Sequence, residues 1–86
     1  MIKPGDLVTA LRVGQVAGAK GIWLFDKPPD QQFKIHIANL KRGEAGLAVV
    51  VLNKWLNSHV ERHVHCVFVI AHDGVGWTTA DMLEAL

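Results

Sequence analysis

Apolar residues in this chain come in short runs separated by Gly, Pro and charged clusters, a spacing that suits strands and leaves no room for long helices. After the turn residues Pro4-Gly5-Asp6, Leu7 to Arg12 alternates and predicts a first strand. The small, weakly apolar stretch from Gly14 to Gly21 is broken by Gly14, Gly18 and Gly21, and reads as a loop. Ile22-Trp23-Leu24-Phe25 is a compact run of β-formers. It is stopped by Asp26-Lys27-Pro28-Pro29-Asp30, whose prolines have no N–H to give a ladder. From Gln31 to Ile37, Phe33, Ile35 and Ile37 fall on one face and Gln32, Lys34 and His36 on the other, which predicts a half-buried strand with the apolar trio inward. Leu40 to Glu44 reads as a turn.

The last third carries the strongest pattern. Ala45 to Leu52 is continuous and Val-rich, as in a central barrel strand. Asn53 to Ser58 is expected to be the hairpin connection, with Trp55 and Leu56 folding back over the barrel. From Val60 onward, Val60, Val64, Cys66, Phe68 and Ile70 share one face, assigned to the interior, and Glu61, His63 and His65 the other. Asp73-Gly74 supplies a tight hairpin and Val75 to Thr78 its return strand, with Trp77 capping an open end of the barrel. Thr79 is placed to N-cap a helical turn, Ala80 to Leu86, that packs Met82, Leu83 and Leu86 inward. The expected fold is all-β: one domain over residues 1–86, a small barrel of five to six strands with a C-terminal helical turn.

Composition narrows the function classes. Half of the 86 residues are apolar, enough for one compact core but for little in the way of a deep substrate pocket. The single Cys66 excludes an intramolecular disulfide and points to a reducing compartment. No apolar run approaches the roughly 18–20 residues of a membrane helix, and Met1 to Asp6 lacks the apolar core of a signal peptide. The chain is therefore expected to be soluble, unprocessed and without a membrane partner. Net charge is +1, unevenly spread: residues 1–43 carry seven Lys/Arg against three Asp, and residues 44–86 two against five acids. That asymmetry favours an oriented partner or head-to-tail self-association, with an ordinary solvated surface as the plainer explanation.

Candidate chemistry is sparse. His63 and His65 share a strand face about 7 Å apart, with Glu61 or His59 as further donors, a set zinc would accept. Arg62 lies amid them and Cys66 points away, so a solvent-facing strand with polar histidines is the competing interpretation. Ser58 beside His59 forms no nucleophile–base geometry, and Asp26 and Asp30 bracket two prolines as turn formers. No enzyme and no cofactor are expected. Nucleic-acid binding would use Lys20, Lys27, Lys34, Lys41 and Arg42 with interleaved aromatics, against a pI near 8 and a net charge of only +1. Protein contact, with a partner or with further copies of the chain, would use Trp23, Phe25 and Trp55, since three Trp in so small a body exceed what it can bury.

Gly5-Asp6-Leu7-Val8, Gly43-Glu44 with Gly46-Leu47, Val67 to Ile70, Gly74-Val75-Gly76-Trp77 and Leu83-Glu84 together, in that order, resemble the small SH3-like β-barrels encoded by tailed bacteriophages. The resemblance spans most of the chain and departs from the pattern at Val13 to Gly21 and Asn53 to His59. It implies an SH3-like barrel acting as a non-enzymatic structural or interaction module, a virion component or accessory factor found in the virion or host cytoplasm.

Overall fold

A computed structural model describes residues 2–11, 21–29, 34–56 and 62–86; for residues 54–56, 62 and 63 the description stops at the backbone. Seven antiparallel strands form one curled sheet, a half-barrel: β1 (Leu7–Ala10), β2 (Ile22–Phe25), β3 (His36–Leu40), β4 (Gly46–Leu56), β5 (Arg62–Ala71), β6 (Gly74–Thr79) and β7 (Leu83–Ala85). Their order across the sheet is β3-β2-β6-β5-β4-β1-β7. β4, β5 and β6 make a meander, and β1 pairs with β4 on one side and β7 on the other. The β2–β3 hairpin joins the far side through Phe25 opposite Trp77.

Local chemistry sets the turns. The Lys3 N–H donates to Asp6 Oδ2 and the Asp6 N–H to the Lys3 carbonyl, closing the Pro4-Gly5 turn that aims β1. Asp26 acts as a turn former: its Oδ1 accepts from the Ile35 N–H at 2.7 Å and its own N–H donates to the Ile35 carbonyl at 3.0 Å. This holds the β2–β3 connection across the prolines.

The concave side buries Ile2, Val8, Ala10, Ile22, Leu24, Ala38, Leu40, Ala48, Val67, Val69 and Leu83 as one core. Two strands approach too closely there for a side chain. A Cβ on Gly76 would lie 2.6 Å from Leu24 Cβ, so glycine at that point lets β6 and β2 close the curl.

Several expectations are corrected. The described residues form seven strands where five to six were expected. β3 begins at His36 and buries Ala38 and Leu40, leaving Ile35 and Ile37 exposed; Asp26 pins the chain at Ile35, and a bulge between Leu24 and Phe25 pushes Ile37 out of the pairing. Leu40, read as a turn residue, is wholly buried. Asn53 to Leu56, read as connection, continues β4 because each residue is paired with β5, down to Leu56 opposite Arg62. In β5 the core takes Val67 and Val69, so the face holding Phe68 and Ile70 is the outer one, although Val64 and Cys66 are buried as expected. The C-terminal helical turn shortens to a 3-10 turn, Ala80–Met82, because the chain leaves it to pair as β7 with β1; Thr79 makes no side-chain cap bond. Leu83 packs inward but Leu86 is exposed. Phe33 and the loop from Gly14 to Lys20 lie outside the described residues.

Candidate functional site: the outer face of the sheet

Once one parity of each strand is fixed inward, the other must face out. Directly opposed residues share a face, so the pairing register draws rows across the outer surface. The first row is Leu7, Leu47, Ile70 and Val75, on β1, β4, β5 and β6 in turn. All four are exposed, by 53%, 37%, 44% and 41%. The second is Val50, Phe68, Trp77, Phe25 and His36, on β4, β5, β6, β2 and β3. The two rows hold eight apolar residues and His36, and no Asp, Glu, Lys or Arg.

A bulge makes this possible. The register slips between Ala48 and Val50, so Ala48 and Val51 both face the core while Val49 and Val50 remain exposed. Without the extra residue, Val50 would occupy the inward parity and Val51 the outward one.

The second row ends in an aromatic cluster. Trp23, more than half exposed, stacks on His36 with centroids 4.7 Å apart and planes 12° apart. Phe25 meets both rings edge-on, at 6.3 and 6.4 Å, and Lys34 Nζ lies 5.4 Å from the Phe25 centroid, within cation–π range. His36 Nε2 hydrogen-bonds Asn39 Oδ1 at 2.9 Å, which orients the imidazole for the stack. Further along, Phe68 and Trp77 pack edge-to-face at 5.2 Å. Trp77 thus lies mid-sheet on the outer face and does not cap a barrel end.

Of the residues singled out from sequence, Trp23 and Phe25 belong to this face. Trp55 is in β4 by its backbone, and its side chain lies outside the described residues. The basic set is not gathered: Lys27 and Lys34 sit in the β2–β3 connection, while Lys41 and Arg42 follow β3, roughly 20 Å away at the strand rise; Lys20 is outside the description. His65 is half-buried on β5 and the His63 side chain is not described; among the described residues no three metal-ligating side chains come together. An open cleft of about 920 Å³ lies beside β1 and β7, lined by Thr9, Ala10, Arg42 and Glu84 among others; Thr9 stands opposite Glu84, and its hydroxyl donates to the Glu44 carbonyl at 3.0 Å.

Sequence reasoning missed Leu7, Leu47, Val50, Phe68, Ile70, Val75 and Trp77 as surface residues. The signal was present: Leu47 to Leu52 and Cys66 to Ile70 are apolar at both parities, the pattern of strands covered on two faces. The core fills the concave one; on the other, Val64 and Cys66 are also buried, while Leu47, Val50 and Ile70 stay exposed. Comparison with known protein families, curated proteins and solved structures finds no match.

Proposed function

We propose that this protein is a small non-enzymatic interaction module of the SH3-like barrel kind, and that the apolar rows on the outer face of its sheet form the surface that binds protein. The observation that carries the reading is the pair of rows through Leu47, Ile70 and Val75, which are exposed, and Phe68 and Trp77, which are half-buried: contiguous, apolar and free of charge along the rows. Single exposed apolar residues need no explanation, but a contiguous patch marks an interaction surface. A last strand that returns beside the first, after a 3-10 turn, supports the SH3-like reading. The likeness to tailed-phage proteins makes a virion component or accessory factor the natural setting. A photo-crosslinking residue at Val75, compared with one at the exposed Asp81 outside the rows, tests the function in cells expressing the protein. Protein adducts from position 75 and none from 81 are expected; adducts from 81 alone would move the interaction away from the sheet face.

A second reading, nucleic-acid binding, draws on the exposed Trp23–His36 stack with Lys34 over the adjoining Phe25 ring. Affinity for DNA or RNA that falls steeply with salt is its signature, and nucleic-acid adducts at a crosslinker placed at Trp23 would favour it.

A further inference from the structure

We draw no further inference here: the strongest candidate, the apolar surface patch on the outer face of the sheet with the exposed Trp23–His36 stack at its β2–β3 end, carries nothing beyond the reading above because nothing in the structure shows what covers it.

Discussion

At single positions, burial and backbone angle decide how much sequence freedom remains. Gly21 adopts φ +111°, and a Cβ there would fall 2.1 Å from the Leu40 carbonyl oxygen. Gly21→Ala combines left-handed strain with a clash against backbone that cannot yield, and we expect it to cost about 3 kcal/mol or more in urea-denaturation stability. Leu24 is fully buried between β2 and β6, so Leu24→Ala is expected to lose roughly 2–5 kcal/mol in the same assay. Ile70→Thr, on the outer face, is expected to change the stability of the isolated chain by under about 1 kcal/mol, measured at concentrations where association is absent. These contrasts were only partly legible beforehand. Cys66 as a buried thiol and Asp26 as a turn former follow from residue type and neighbours. Ile37 and Leu40 do not: both are large and apolar, and the β2–β3 register that turns Ala38 and Leu40 to the core leaves Ile37 on the opposite face.

Among the elements, existence was easier to read than phase. Ile22–Phe25 stands as expected, bounded by Gly21 and the prolines. The alternation of Glu61, His63 and His65 points to a strand, but from Cys66 onward both parities are apolar and periodicity no longer says which is inside. The bulge in β4 has no side-chain marker, since Val49, Val50 and Val51 are identical. β7 was missed because three residues held only by β1 leave no pattern of their own. Pairing strength also predicts dynamics. β4 and β5 are paired along nearly their whole length, whereas β2 reaches β6 through Phe25 opposite Trp77. Native-state hydrogen exchange is expected to show amides in β4, β5 and β6 opening only with global unfolding and those of β3 opening at lower free energy. Equal protection across all these strands would mean that the β2–β3 hairpin is not a separable unit.

For the whole molecule, the principal feature is an imbalance. β4 and β5 are apolar on both faces; the core fills the concave one, and on the other Leu47, Val50 and Ile70 stay exposed beside buried Val64 and Cys66. The candidate site was legible in composition, through the three Trp and the Val-rich runs, but its location was not. Nothing local distinguishes an apolar residue facing the core from one facing a partner, and the decision comes from how the sheet curls. The charge asymmetry between the two halves does not build a basic groove, because Lys27 and Lys34 lie at one end of β3 and Lys41 and Arg42 at the other.

Hydroxyl-radical footprinting of the protein inside cells that express it, compared with the purified protein at strong dilution, tests the central claim most directly. If the outer face is an interface, Leu47, Ile70 and Val75 are protected in the cell and gain reactivity once the protein is purified and dilute, while Ile35 and Leu86 are oxidised equally in both. Reactivity that follows each residue's exposure in the single chain in both settings, with no change along the two rows, would contradict it.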